Sequence, residues 1–167
     1  MGRRKDQAME NFLKGYNCAQ SLTLAFADLL PVGEAELMKL SCSFGGGMGR
    51  LREVCGSVSG MFMVLGLLYG YSTPETGQIK NDQYARVQEL AHRFEEINGS
   101  VVCRELLGLS IRHDVPVAEA RTEQYYKKRP CREIIGCAAG LLEEYIEAHP
   151  YAQGMTDSAD DETVPKD

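Results

Sequence analysis

Residues 131–148 read Cys131-Arg132-Glu133-Ile134-Ile135-Gly136-Cys137-Ala138-Ala139-Gly140-Leu141-Leu142-Glu143-Glu144-Tyr145-Ile146-Glu147-Ala148. The apolar positions Ile134, Ile135, Ala138, Leu141, Leu142, Tyr145 and Ile146 recur every three or four residues, which places them on one face of an α-helix. Pro130 suits a first helical position and Pro150 stops the run, so the spacing predicts a helix over about 131–148.

The same period governs the rest of the body. Helices are predicted over roughly 3–14, 18–30, 34–43, 55–69, 80–97 and 101–107, with a further one near 118–126. The 80–97 segment carries Tyr84, Val87, Leu90, Ala91 and Phe94 as its apolar stripe and stops at Asn98-Gly99. The run Gly45-Gly46-Gly47-Met48-Gly49 does not suit a helix interior. It precedes the most apolar segment, Cys55–Tyr69. The expected fold is all-α: a single-domain bundle of about six helices with a Gly-rich loop before the central apolar helix. Gly56/Gly60, Gly66/Gly70 and Gly136/Gly140 each lie four apart, which points to close packing of central helices.

The chain has 167 residues, with 44% hydrophobic and 25% charged, the balance of an ordinary globular domain. Of the net charge of −6, residues 151–167 hold −4: Asp157, Asp160, Asp161, Glu162 and Asp167 against Lys166. Residues 1–150 therefore read as one folded domain and 151–167 as an acidic, disordered tail. The nearly neutral body excludes a nucleic-acid footprint. No apolar run reaches the roughly 18 residues of a membrane span. Met1–Phe12 has no apolar signal core, so the expected compartment is cytoplasmic.

Six Cys are unusual in such a chain. No two are separated by two residues, which excludes the usual zinc ribbon, the thioredoxin motif and c-type haem attachment. Four fall at predicted helix starts. Asn17 caps the helix opened by Cys18, Cys55 opens the apolar helix, Ser100 caps the turn holding Cys103, and Pro130 precedes Cys131. A helix start favours thiolate over thiol, and the thiolate is both nucleophile and metal ligand. Cations lie close in sequence: Arg50 and Arg52 before Cys55, Arg104 after Cys103, and Lys127, Lys128, Arg129 and Arg132 around Cys131. An anionic site explains cations at helix starts. Cys42 and Cys137 fall inside helices and read as packing residues.

Five segments form an ordered set: Tyr16-Asn17-Cys18-Ala19-Gln20, Phe44 to Arg50, Glu53-Val54-Cys55-Gly56-Ser57-Val58-Ser59-Gly60, Asn98-Gly99-Ser100 with Cys103 to Gly108, and Cys131 leading into Ala138-Ala139. Over roughly residues 10–147 this set resembles the C-GCAxxG-C-C family of redox-active proteins. The resemblance implies that the family's four Cys are Cys18, Cys55, Cys103 and Cys131, and it leaves Cys42 and Cys137 outside. Ser57 stands where the family has Ala, and Arg52 where Gly is expected. The family is also similar to part of the split-Soret cytochromes, whose equivalent Cys are ascribed an iron–sulfur cluster. That implies a cluster or thiol module without haem.

Three readings follow. In the first, Cys18, Cys55, Cys103 and Cys131 bind an iron–sulfur cluster that transfers electrons with a redox partner. In the second, two of them cycle between dithiol and disulfide without metal; a structural zinc site on the same four residues is a lesser variant. In the third, the chain is a helical interaction module, a homodimer for example, with Cys as core filler. Backbone N–H groups of the Gly45–Arg50 run can cradle an anion. Gly46, Gly47 and Gly56 are the candidates to lie against a cofactor, with the loop amides donating to the Cys55 sulfur or to a cluster. Glu89 and His92 form a lone Glu-x-x-His pair, which reads as a solvated face because a di-iron bundle needs a second.

Overall fold

The computed structural model describes residues 2–74 and 77–151. The acidic tail expected from 151 onward lies, beyond Tyr151, outside the described residues. Eight helices are present among them: α1 (Arg3–Leu13), α2 (Cys18–Leu24), α3 (Glu34–Cys42), α4 (Gly56–Tyr69), α5 (Gln78–Asn98), α6 (Cys103–Leu106), α7 (Glu123–Lys128) and α8 (Cys131–Ala148). The only extended pairing among the described residues is a single antiparallel bridge, Val54 with Val102. The fold is all-α, and each of the eight helices falls on a segment predicted as helical, α6 and α7 being the shortest.

α8 spans the bounds its periodicity predicts and packs along α1, while α2 crosses α4. Phe12, Leu22, Phe26, Met61, Phe94 and Leu142 are fully enclosed where these helices meet. α4 packs on α2 through its small residues. A Cβ at Gly56 would lie 2.9 Å from the Cys18 Cβ, and one at Gly60 would lie 3.0 Å from the Ala19 carbonyl oxygen. Gly136 makes the same kind of approach to Met9 of α1, whereas Gly66 and Gly140 face open space.

Several expectations are corrected. The second helix ends at Leu24, not near Leu30, and a 3-10 turn covers Ala27–Leu29. The Ala25 carbonyl is taken by the buried Arg4 guanidinium at 2.6 Å, which favours a local break before Pro31. The helix expected near 118–126 starts only at Glu123, where the Thr122 hydroxyl accepts from the Tyr125 N–H. On α5 only Leu90 and Phe94 are fully buried, and Tyr84 is 54% exposed because the N-terminal half of α5 extends past the bundle.

The Gly-rich run is not a disordered loop. Five consecutive residues, Gly46 to Arg50, have φ between 62° and 69°. The Gly49 N–H bonds the Gly45 carbonyl at 3.0 Å, and the Glu53 N–H bonds that of Gly47 at 3.1 Å. This is one turn of left-handed helix. Three of the five are Gly, which enter that region freely; Met48 and Arg50 do so at a cost of about 1–2 kcal/mol each.

Candidate thiol site

Four helix starts bring four sulfurs together. Asn17 caps α2 reciprocally with Gln20: its Oδ1 accepts the Gln20 N–H at 2.9 Å, and Gln20 Oε1 accepts the Asn17 N–H at 3.2 Å. Cys18 is thereby the first residue of α2. Cys55 is the N-cap of α4, and Cys131 follows Pro130 into α8. Cys103 opens α6, but Val102, not Ser100, is its N-cap; the Ser100 hydroxyl instead accepts the Val102 N–H at 3.0 Å. The two central Cys are joined through backbone. The Cys55 N–H bonds the Val101 carbonyl at 2.8 Å, and the Cys103 N–H bonds that of Glu53 at 2.6 Å.

All four thiols line one pocket, walled by Leu106, Leu107, Ile134 and Ile135. Cys55, Cys103 and Cys131 are buried and Cys18 is partly so. Two of the Gly residues named from sequence, Gly47 and Gly56, lie against cysteines of this pocket, whereas Gly46 faces Arg50 and Arg52. A Cβ on Gly47 would lie 2.6 Å from the Cβ of Cys103, and one on Gly56 would lie 2.9 Å from that of Cys18. The Gly46 backbone N–H favours the Cys18 thiolate, against that thiol's net rise, where the expectation was Cys55.

Three of the four thiols are raised, Cys55 and Cys103 chiefly by burial and Cys18 chiefly by its neighbour Cys131. The hydrogen bond from Cys18 to Cys131, with burial, holds the Cys18 thiol well above its ordinary range. Burial pushes Cys55 up to about 12, opposed by a contact of its sulfur with the Ser57 hydroxyl at 3.1 Å. Burial also raises Cys103, opposed by the Arg52 guanidinium. Only Cys131 is lowered, because it accepts from Cys18. Cys18 and Cys131 are thus coupled thiols shifted in opposite directions.

The cations near these Cys are mostly paired with carboxylates. Arg104 binds Glu53 at 3.0 Å, Arg129 binds Glu119, and Lys127 binds Glu123. Arg50 and Arg52 share Asp114 at 2.6 and 2.7 Å. Among the cations of the described residues Arg52 reaches a sulfur: its Nη1 lies 3.8 Å from Cys103 Sγ, not beside Cys55. Arg121, which no motif marks, lies over the rings of Phe12 and Tyr125 at 4.6 and 4.7 Å, and its charge opposes the rise of the Cys18 thiol. Asp114 and Arg121 have no sequence signal because both lie in the irregular stretch between α6 and α7.

The other sequence candidates stand apart. Cys42 is exposed, its sulfur against the Lys39 carbonyl at 3.1 Å, so it is not the packing residue expected. Cys137 is half-buried and accepts from Asn98 Nδ2 at 3.3 Å. Glu89 and His92 are exposed on α5.

A family model matches residues 16–145. The chain belongs to the C_GCAxxG_C_C family. Its description is "putative redox-active protein". The match spans all four Cys that line the pocket. No curated protein and no solved structure matches the chain.

The C_GCAxxG_C_C membership raises the question of what the pocket can hold. Its donor set is four sulfurs with no carboxylate or imidazole among the lining residues. That set suits a soft metal or an iron–sulfur cluster. The pocket is narrow, about 10 Å³, with room for about one water molecule. Among the described residues no three His, Cys, Asp or Glu side chains are gathered around one metal-ion position. The donors therefore fit in kind, and the thiols must part to admit a group. No helix among the described residues is long and apolar enough to cross a membrane.

Proposed function

We propose that the pocket is a redox centre in which Cys18, Cys55, Cys103 and Cys131 hold an iron–sulfur cluster serving electron transfer with a partner protein. The observation that carries this reading is the convergence of four thiols, from four separate helix starts, on one pocket with apolar walls. When bound, such a group supplies reversible one-electron transfer. The chain's own residues do the rest. Leu106, Leu107, Ile134 and Ile135 keep water from the sulfurs. The Gly46 N–H, the Ser57 hydroxyl and Arg52 offer hydrogen bonds to Cys18, Cys55 and Cys103. Such bonds raise a centre's potential by stabilising added negative charge.

Iron and acid-labile sulfide, measured per chain after anaerobic purification together with the visible spectrum, test the reading. The expected result is bound iron and sulfide that is lost in Cys18→Ser, Cys55→Ser, Cys103→Ser and Cys131→Ser and kept in Cys42→Ser and Cys137→Ser. Colourless wild-type protein, free of iron after anaerobic reconstitution, overturns it.

A second reading rests on the hydrogen bond between Cys18 and Cys131 and their opposite shifts. These two thiols then pass two electrons and two protons to an external disulfide, which becomes two thiols while a Cys18–Cys131 disulfide forms. Mass mapping of that disulfide in metal-free protein, reversed by dithiothreitol, is its expected signature.

A further inference from the structure

Arg52 combines three features. Its side chain is enclosed, with the residue only 2% exposed. Its backbone sits at φ 59°, a region glycine enters freely and arginine only at a cost. Its guanidinium is held from one side by Asp114, with Nη2 at 2.7 Å and Nε at 3.2 Å from Oδ2, and reaches Cys103 Sγ from the other, with Nη1 at 3.8 Å. Asp114 is itself fixed. Its N–H bonds the Arg50 carbonyl at 3.1 Å, and Oδ1 accepts the Val115 N–H at 2.8 Å. Backbone strain at a buried charged residue persists where the surroundings over-determine it, and such positions cluster at functional sites.

The charges around it leave a surplus. Arg50 and Arg52 meet at Asp114, and Arg50 and Arg129 meet at Glu119. Three guanidiniums thus face two carboxylates, and of the three Arg52 is the one aimed at a sulfur. A buried positive charge not fully matched by carboxylate calls for further negative charge nearby.

We propose that Arg52 is the positioning residue of Cys103: clamped by Asp114, it fixes the sulfur and places a permanent positive charge beside it. Resting on the redox reading above, this charge favours the more reduced, more negative state of the centre. Removing it shifts the reduction equilibrium by roughly tenfold, which is about 59 mV for one electron.

Two measurements on the full chain, purified anaerobically, decide the matter. The first is the midpoint potential, from a dithionite titration with mediators followed by visible absorbance. Arg52→Gln is expected to lower it by about that amount, and Arg52→Lys to recover most of the loss. Asp114→Asn, which removes the clamping negative charge, is expected to raise it. A loosened structure would move both variants alike, so shifts of the same sign overturn the proposal. The second is a double-mutant cycle of Arg52→Gln with Cys103→Ala in urea unfolding, which needs no redox activity. A coupling of roughly fivefold in the unfolding equilibrium is expected, and additive effects overturn the proposal. Should wild type show no redox couple while the coupling persists, the redox reading falls and the role of Arg52 at Cys103 stands.

Discussion

Gly47 is the residue on which the thiol pocket depends most directly. Its φ of 69° and the 2.6 Å approach of a would-be Cβ to Cys103 leave no room for a side chain. Gly47→Ala is expected to destabilise the protein by about 2–3 kcal/mol, read from urea unfolding, and to displace Cys103. One position on, Met48 shares the left-handed region at φ 65° and is 36% exposed, so it does no core packing. Met48→Gly is expected to raise stability by up to about 1 kcal/mol in the same assay. At both neighbours a side chain works against the left-handed turn, far more so at Gly47 where it would also meet Cys103. The run's unsuitability for an ordinary helix is visible in its glycines. Its left-handed turn is not, because Met48 and Arg50 are carried there by hydrogen bonds to Phe44 and Gly45. Ser57 and Arg52, the two departures from the family pattern, each place a polar group against a pocket sulfur. Their identity is legible in the chain; which sulfur each meets depends on distant pairing.

At the scale of elements, α4 is held to α2 by small residues, and its glycines separate into two kinds. Gly60 lies against the Ala19 backbone, whereas Gly66 faces open space. Gly60→Ala is expected to cost about 1–2 kcal/mol by forcing the two helices apart, and Gly66→Ala to add about 0.5–1 kcal/mol from helix propensity alone. Thermal unfolding of the two variants checks the contrast, and equal effects would refute the close crossing. The sequence spacing of four treats Gly56/Gly60 and Gly66/Gly70 alike, because periodicity reports a shared face and not what covers it. Helix starts were the most legible features. Asn17 and Pro130 act on their own neighbours, so the positions of Cys18 and Cys131 follow from local chemistry. Cys55 and Cys103 are brought together by the Val54–Val102 bridge, which pairs segments 48 residues apart and has no local signature.

For the whole molecule, the irregular stretch between α6 and α7 is docked through an aromatic cluster. Phe12, 1% exposed, meets the Tyr126 ring edge-on at 5.6 Å and lies under the Arg121 guanidinium. Phe12→Ala is expected to cost about 3–5 kcal/mol and to speed amide exchange in α7 more than in α4. The N-terminal helix is tied in by Arg4, whose hydrogen bond to Asp28 holds that carboxyl below its ordinary value of 3.8. A lowered carboxyl stabilises the fold above the unfolded value, and the contribution disappears as pH falls through the folded one. Asp28→Asn is therefore expected to be less stable than wild type at neutral pH, by about 1 kcal/mol at most since Asp28 is half-exposed. The difference should close in acid below pH 3.8. The hydrogen bond between Cys18 and Cys131 also has a consequence for synthesis. Its partners are 113 residues apart. At a translation rate of about 5–20 residues per second, Cys18 leaves the ribosome roughly 6–23 s before Cys131. Through that interval the nascent chain carries Cys18 and then Cys55 and Cys103 without the helix that completes their pocket. The pocket is therefore complete only once α8 has been made.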